Sequence, residues 1–360
     1  MARPRGRIAL ILLPVLVYLF LLSPVFNSEL VFTPAWAVKV DEAPVQNGGD
    51  SSLTLKKEVK DLIPFKLDRI FGYISPDGTL QFRDTVLYNT LVNNYGFINY
   101  SNVSENLVLR NPDGSILSSF RTSGYPVILE GNRVIVIDTS RSSLKELDFS
   151  GTEKWKRDFP IIITSIGGNG SLLFVGRADG NAELLDGNGA LVYQWKTEGT
   201  RISIVYACAV SESGNYLAVI AGIDPQKLVL LEKKDAAYRP VMTQILDSSF
   251  RRAVNLQFSG ADRYLFFEDS EKLWCYDLEK KQEFSQVAGV RSLQVLEDPQ
   301  NPLFFHIYSI PEHRVFQIFS RTGYTLTQMI IDETSFLDVL PGTLYLGEGG
   351  TLMRLNIGHN

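Results

Sequence analysis

Short runs of apolar and β-branched residues recur along the body of the chain, each ended by turn residues. One such run is a compact apolar strand that is often introduced by Gly-Asn or by Asp. It occurs as YGFINY (95–100), GNRVIVID (131–138), GSLLFVG (170–176), GNYLAVIAG (214–222), DRYLFFED (262–269), PLFFHIY (302–308) and GTLYLGEG (342–349). These seven copies are roughly 40 residues apart. Between them the pattern gives further short strands and no convincing amphipathic helix, so it predicts an all-β protein.

A second repeated phrase is a hairpin, in which a glycine-containing turn leads into a strand with alternating apolar positions. It occurs as SPDGTLQFRD (75–84), RNPDGSILSSFR (110–121), DFSGTEKWKR (148–157), LDGNGALVYQWK (185–196) and SRTGYTLTQM (320–329). The first four turn glycines follow one another at intervals of 36, 37 and 38 residues, at Gly78, Gly114, Gly151 and Gly189. Asp-Gly and Asn-Gly pairs tolerate the positive φ angles that tight hairpin turns require.

A period near 40 residues with about four strands per unit is typical of a β-propeller blade. A single unit cannot bury both of its faces, so units must stack, and a closed ring hides the end faces. The seven strand copies predict a seven-bladed propeller of four-stranded antiparallel blades over residues 67–360, and one surplus strand leaves eight blades possible. Residues 69–85 read as the late part of a blade and 334–357 as the early strands. We therefore expect these two ends to pair within one blade.

Several phrases resemble known propeller families. SGTEKWKRDF and GNGALVYQWK resemble the Gly-x-x-x-Trp phrase of the PQQ-like (quinoprotein-like) propellers, and SESGNYLAVIAG resembles the corresponding strand of WD40-type propellers. The resemblance spans about 290 residues. It implies a propeller outside the cytoplasm, a class that includes both an outer-membrane assembly scaffold and quinone-dependent dehydrogenases. Since one fold hosts many functions, the resemblance alone does not choose between them.

The start of the chain has the composition of a targeting segment. Three arginines in MARPRGR precede Ile8–Ser28, a stretch of 21 residues without a charge. Such a stretch matches the roughly 20 residues that a helix needs to cross a bilayer, and the arginines would keep its start in the cytoplasm. We expect residues 1–38 to be a signal anchor or transmembrane helix. The protein would then be a single-pass, membrane-anchored protein with an extracytoplasmic (in a bacterium, periplasmic) body.

Cleavage of this segment is the alternative. TPAWA (33–37) ends in a small-residue pattern of the kind that signal peptidases recognise, and cleavage after Ala37 would give a secreted or periplasmic soluble protein. The polar residues 39–66 then predict a flexible linker with a possible short helix.

Composition and residue spacing give little support to catalysis. The formal net charge is −5, which argues against a general nucleic-acid binder. Cys208 and Cys275 lie in strand-like runs and read as buried free thiols, although a single bridge between them is possible. The three histidines, His306, His313 and His359, have no metal-binding spacing, and no nucleophile elbow or phosphate-binding loop is present. We therefore expect no enzyme activity, no metal and no cofactor.

Four arginines are the candidate binding residues. Arg201, Arg252 and Arg291 stand just before three consecutive predicted innermost strands, and Arg121 stands somewhat earlier before another. In a propeller these positions surround one mouth of the central channel. One interpretation is a basic rim that binds an acidic partner segment or an anionic ligand. The other is that each arginine pairs with an Asp or Glu of the next blade.

The favoured function is a membrane-tethered propeller that serves as a protein–protein interaction scaffold in a cell-envelope assembly. A ligand-sensing or carbohydrate-binding propeller is the alternative, and exposed aromatic residues around one face would indicate it. A degenerate quinoprotein enzyme is a third possibility, but such enzymes need a longer chain and a calcium-linked cofactor pocket.

Overall fold

A computed structural model describes residues 30–41, 62–101, 104–129, 133–148, 150–235, 237–332 and 336–359. Every regular element in these ranges is a β-strand. The first half comprises β1 Leu30–Lys39, β2 Ile63–Leu67, β3 Ile70–Ile74, β4 Leu80–Thr85, β5 Asn89–Asn93, β6 Gly96–Tyr100, β7 Leu107–Arg110, β8 Ile116–Phe120, β9 Tyr125–Leu129, β10 Arg133–Ile137, β11 Ser143–Leu147, β12 Glu153–Asp158, β13 Ile163–Gly168, β14 Leu173–Arg177, β15 Asn181–Leu185 and β16 Leu191–Lys196. The second half comprises β17 Ile202–Val210, β18 Tyr216–Ile223, β19 Lys227–Lys234, β20 Ala237–Ile245, β21 Leu256–Phe258, β22 Tyr264–Asp269, β23 Lys272–Asp277, β24 Gln282–Val287, β25 Arg291–Glu297, β26 Leu303–Ile310, β27 His313–Ser320, β28 Thr325–Ile331, β29 Phe336–Leu340, β30 Thr343–Glu348 and β31 Thr351–His359.

The strands form eight antiparallel sheets arranged as the blades of a ring. In chain order the blades are β2–β4, β5–β8, β9–β12, β13–β16, β17–β20, β21–β24, β25–β28 and β29–β31 with β1; the described part of blade 1 has three strands and every other blade has four. First strands of successive blades lie side by side around the centre, as β5 does with β9 and β13 with β17. Strand β2 lies beside both β29 and β5, so blade 1 joins blade 8 and the ring is closed.

The prediction of seven blades is wrong. Residues 69–85 and 334–357 do not share a blade, because β3 and β4 pair with β2 whereas β29–β31 pair with β1. The sequence pattern missed β2 because IPFKL contains Pro64 and follows a polar segment that predicts a linker. With β2 counted, the strands of residues 63–85 form a separate, eighth sheet.

Strand β1 completes the last blade from the other end of the chain. Its antiparallel register runs from Leu30 opposite His359 to Lys39 opposite Thr351, with an irregularity between Pro34 and Trp36. Proline is tolerated here because β1 is the outermost strand of the blade and has one unpaired edge. Residues 30–38, which the sequence pattern gave to the anchor, are therefore part of the propeller.

The predicted membrane-spanning stretch itself, Ile8–Ser28, lies outside the described residues. Within the ranges that the structure describes, no helix has the length and apolar character needed to cross a bilayer. The alternative cleavage point at Ala37 falls inside β1, where Ala37 pairs with Met353. Cleavage there would separate most of β1 from the blade that it completes.

The seven copies of the apolar phrase form the second strand of blades 2 to 8. Each such strand has neighbours on both edges and blades packed on both faces, so polar positions are few; all five residues of β14 and all six of β22 are buried. Apolar clusters fill the spaces between adjacent blades. One cluster joins β18 and β19 of blade 5 to β22 of blade 6 through Ile220, Leu228 and Phe267. The core is therefore a ring of interfaces between sheets rather than a single central mass.

The repeated hairpin turn connects the third and fourth strands of a blade and accepts an aromatic ring from the blade before it. In blade 4 the backbone at Gly189 lies against Trp155 of blade 3, and the Trp155 Nε1–H donates to the Gly187 carbonyl at 3.1 Å. In blade 1 the turn at Gly78 receives Trp36 of β1 in the same way, with the Nε1–H donating to the Pro76 carbonyl at 2.9 Å. The sequence phrase therefore recurs at the spacing of the blades, because each copy forms the turn on which the preceding blade docks.

Candidate interaction face

One face of the ring collects the beginnings of the innermost strands of blades 2 to 8. Because strands alternate in direction within each blade, the same face also carries the ends of the outermost strands and the turns between second and third strands. We call it the start face. All four candidate arginines lie on it, at or near the connections that lead into β9, β17, β21 and β25.

Arg201 is exposed and paired. Its Nε and Nη2 groups donate to Asp224 Oδ2 at 2.9 and 2.5 Å. Asp224 belongs to the turn between β18 and β19 of the same blade, so the pair braces one blade and does not link two. Both side chains are more than half exposed, at 65% and 54%, and such pairs contribute little to stability. The guanidinium therefore remains available to a competing carboxylate.

Arg252 has a structural role instead. Its two terminal nitrogens bind both oxygens of Glu268 at 3.0 and 2.6 Å, and the Glu268 side chain is fully buried. The same guanidinium lies over the ring of Phe250, with the Cζ atom 4.2 Å from the ring centre. It also donates to the Val290 carbonyl at 3.0 Å, in the connection to the next blade. Most of its hydrogen-bonding capacity is thus already used within the fold.

Arg121 and Arg291 have no ion-pair partner among the described residues, and both are exposed. Neither arginine pairs with an acidic residue of the next blade, and the partners of Arg201 and Arg252 lie in their own blades. The start face therefore presents three accessible guanidinium groups, at Arg121, Arg201 and Arg291. An arginine can bind a carboxylate through two parallel hydrogen bonds, which gives such groups directional specificity.

Exposed aliphatic and aromatic side chains lie on the same face. They stand in the connections between blades or at the ends of the outermost strands, and comprise Leu87, Tyr88, Ile161, Ile162, Ile202, Ile245, Val287, Val290 and Ile330. Leu87 is 74% exposed, Val290 57% and Ile330 63%. Val290 directly precedes Arg291 and offers its carbonyl to Arg252, so apolar and cationic groups meet at this point. A large apolar side chain next to a free guanidinium is typical of protein-binding surfaces.

Sequence reasoning placed the arginines on this face but missed its apolar residues. In the sequence, Leu87-Tyr88 and Ile161-Ile162 look like the first residues of the strands that follow. The signal that could have identified them is their position directly after a complete hairpin and before the alternation of the next strand begins.

Both cysteines and His306 are enclosed in the core. Cys208 and Cys275 are buried free thiols, and burial raises the pKa of each well above its usual range. His306 is fully buried between Ser292 and Gln317, and burial lowers its pKa to about 4. No group of three or more His, Cys, Asp and Glu residues in the described ranges could hold a metal ion.

Comparison with known proteins agrees with the architecture. A family model described as a beta-propeller protein matches residues 4–358. The chain belongs to this β-propeller family. An uncharacterized protein of Treponema pallidum is 21% identical over 264 residues, which is 73% of this chain and 70% of that protein. The crystal structure of BamB from Moraxella catarrhalis superposes with a TM-score of 0.55 at 14% identity, covering 91% of this chain and 100% of that chain. This second likeness is one of fold.

Proposed function

We propose that this propeller is a non-enzymatic interaction scaffold of the cell envelope, located outside the cytoplasm, and that its start face binds an acidic segment of a partner protein. The observation that carries the proposal is the placement of Arg121, Arg201 and Arg291 among exposed aliphatic side chains on one face. The protein as a whole has a formal charge of −5, so these accessible guanidinium groups lie on a molecule with an excess of acidic residues.

The composition of this face fits a protein partner better than a small ligand. Arginine and large apolar side chains are enriched where proteins bind one another, and a few anchoring residues contribute most of the affinity. The accessible guanidinium groups are distributed over blades 3, 5 and 7, so an extended segment could reach several of them, whereas a small anion could reach only one. Exposed aromatics do not circle this face in the described residues, where Tyr88 is the aromatic with large exposure.

The chemistry of the core supports a role without catalysis. A nucleophilic cysteine needs an accessible thiolate, and both cysteines are buried with raised pKa values. The extracytoplasmic location rests on the charge-free stretch Ile8–Ser28 behind three arginines in the sequence.

The first test is affinity purification of the full-length protein after cross-linking in its native membrane fraction, with mass spectrometry of the material that co-purifies. The triple variant Arg121→Glu, Arg201→Glu, Arg291→Glu should lose at least about 90% of the principal partner, because like charges across an interface repel and single interface hot spots cost ~2 kcal/mol or more. Arg252 is left unchanged, because its loss would strand the buried Glu268 carboxylate.

The matched control is Lys280→Glu, which reverses an exposed charge in the turn between β23 and β24 on the opposite face. It should leave the partner bound, and both variants should unfold at the same denaturant concentration as the unaltered protein. A partner that stays bound to the triple variant, equal loss from both variants, or a protein that purifies with no stoichiometric partner would each overturn the proposal.

A further inference from the structure

A cleft at the rim between blades 4 and 5 has the lining of a ligand site. Its volume is about 500 Å³, within the range of small-molecule sites. One wall is the outermost strand β16 with the connection that follows it, and the other is formed by β18, β19 and β20. The lining residues are Tyr193, Gln194, Trp195, Lys196, Thr197, Glu198, Ala221, Lys227, Val229, Pro240 and Thr243.

The cleft exists because blades 4 and 5 lack the usual docking contact. The turn between β19 and β20 has no glycine to receive a ring from the preceding blade. Tyr193, which follows its turn glycine at the same spacing as Trp155 does, packs on Tyr238 instead, with ring centres 5.3 Å apart. Ala221 contributes only a methyl group to the lining. The two blades therefore leave space between their outer strands.

Trp195 lies at this interface without a docking hydrogen bond. It is half-buried, and its Nε1–H has no hydrogen-bond partner in the described part of the chain. Trp36 and Trp155, by contrast, both donate to a carbonyl in the next blade. Together with Tyr193, Trp195 gives the cleft an aromatic wall with a donor available at its edge.

The opposite side of the cleft is polar and cationic. The Lys227 ammonium donates to the Glu198 carbonyl at 3.0 Å, which holds it beside the connection after β16 and leaves its other protons available. Thr243 supplies a hydroxyl that can both donate and accept hydrogen bonds, whereas the buried Thr197 hydroxyl already donates to the Gly180 carbonyl at 2.8 Å.

We propose that this cleft binds a sugar unit that carries a carboxylate, such as a uronic or sialic acid residue of a glycan. The C–H face of a sugar ring is apolar and can pack on the Trp195 and Tyr193 rings. Its hydroxyls match the Thr243 hydroxyl and the Trp195 Nε1–H, and its carboxylate matches the Lys227 ammonium. An apolar ligand would leave these polar groups unpaired, which is costly. This site is independent of partner binding on the start face.

The test titrates full-length protein, free of sugar-headed detergent, with methyl glucuronide, methyl galacturonide and N-acetylneuraminic acid, using saturation-transfer NMR for contacts and calorimetry for affinity. Methyl glucoside serves as the neutral comparison. At least one acidic sugar should bind about fivefold more tightly than the glucoside, the effect expected of one partly exposed charge pair. Lys227→Gln should remove that preference, and Trp195→Ala should abolish binding of both kinds of sugar.

Lys233→Gln, at the other end of β19, is the matched control and should keep the preference. Absence of saturable binding for every sugar in the panel would overturn the proposal, as would affinities unchanged by Lys227→Gln and Trp195→Ala. Inorganic phosphate forms the third arm: if it binds as tightly as the acidic sugars and Trp195→Ala does not weaken them, the cleft is a simple anion site and the sugar assignment is wrong.

Discussion

Two glycines that lie two residues apart in the third-to-fourth turn of blade 4 have different roles. Gly189 has a φ of +75°, and a Cβ placed on it would lie 2.5 Å from Cδ2 of Trp155. Gly187 has an ordinary backbone angle, and its nearest atom to such a Cβ is 3.9 Å away. The first glycine is required both by the turn and by the aromatic ring of the preceding blade. The second is required by neither.

Substitution of these two glycines tests whether Gly189 alone is required. Gly189→Ala should lower the free energy of unfolding by about 2 kcal/mol or more, because it adds left-handed backbone strain and displaces Trp155. Gly187→Ala should change it by less than about 0.5 kcal/mol. Chemical denaturation of both variants makes the comparison, and equal stabilities for the two would contradict the docking role of Gly189.

For the four arginines, the sequence predicts their position in the fold but not their partners. Their positions before the innermost strands place all of them on one face, because the direction of those strands follows from the repeat. The sequence does not reveal that Arg252 differs from Arg291. The buried partner, Glu268, comes from the second strand of the blade, where DRYLFFED reads as an apolar strand with a polar end. That carboxylate is buried where blades 6 and 7 pack together, which the sequence does not show.

At the level of the elements, β1 has a disproportionate role in closing the ring. It adds the fourth strand to blade 8 and docks Trp36 onto the turn of blade 1, where Arg354 of β31 donates to the same Pro76 carbonyl at 2.6 Å. One strand thus connects the last blade to the first. Loss of these contacts would act on the closure of the ring rather than on any single blade.

Trp36→Ala should destabilise the protein by about 2–4 kcal/mol, since it removes a half-buried ring and a hydrogen bond to a backbone carbonyl. Hydrogen exchange should accelerate first in blades 8 and 1, whereas blade 4, on the other side of the ring, should be much less affected. Ala35→Ser, at an exposed position of the same strand, is the control. Uniform acceleration in all blades, or none in blades 8 and 1, would argue against a closing role for β1.

The sequence predicted the second strands of blades 2 to 8 correctly and missed β1 and β2, for one physical reason. A second strand is buried on both faces and paired on both edges, so its composition is nearly all apolar. Strand β1 has an unpaired edge, contains Pro34 and follows a long charge-free stretch, so its pattern is typical of an export signal as much as of a strand. The residue composition of an edge strand is less constrained by burial and pairing, so its sequence pattern is harder to recognise as a strand.

At the scale of the whole molecule, buried polar bridges hold neighbouring blades together. The Glu268 carboxylate of blade 6 accepts the Ser292 N–H of blade 7 at 3.1 Å, and the Ser292 hydroxyl lies 3.0 Å from His306 Nε2. Gln317 continues the network, donating to Gln286 of blade 6 at 3.0 Å. These buried groups form hydrogen bonds with one another, so the network fixes how the two blades meet.

This network predicts a loss of stability in mild acid. Burial lowers the pKa of His306 from 6.5 to about 4, so between these values the unfolded chain takes up a proton that the folded protein does not. The free energy of unfolding should therefore fall as the pH decreases from 6.5 to about 4, by up to roughly 3 kcal/mol from this residue, and level off below. Urea unfolding at several pH values measures the effect.

His306→Asn should remove most of that slope, whereas His313→Asn, at the exposed first residue of β27, should retain it. The difference between the two variants isolates the histidine from the carboxylates that titrate in the same range. Identical slopes in both variants would show that His306 does not control acid stability.

The number of blades is the global feature that could not be predicted from the sequence. The repeat gives the class of fold, because stacked units near 40 residues need a ring, but the count depends on whether strands at the two ends of the chain belong to one blade or two. Residues 63–85 and 336–359 each contain three strands, and only their partners in space decide the matter.

The pairing of β1 with β31 also sets the order in which the protein can be completed. Strand β1 is synthesised about 310 residues before the partner against which it lies. During synthesis, and during any passage across a membrane, β1 precedes β31, and the backbone groups of β1 that pair with β31 stay unpaired until β31 emerges. Contacts between such distant parts of a chain form slowly, because the intervening loop has to be closed. Of the described strands, β1 is thus made first and paired last.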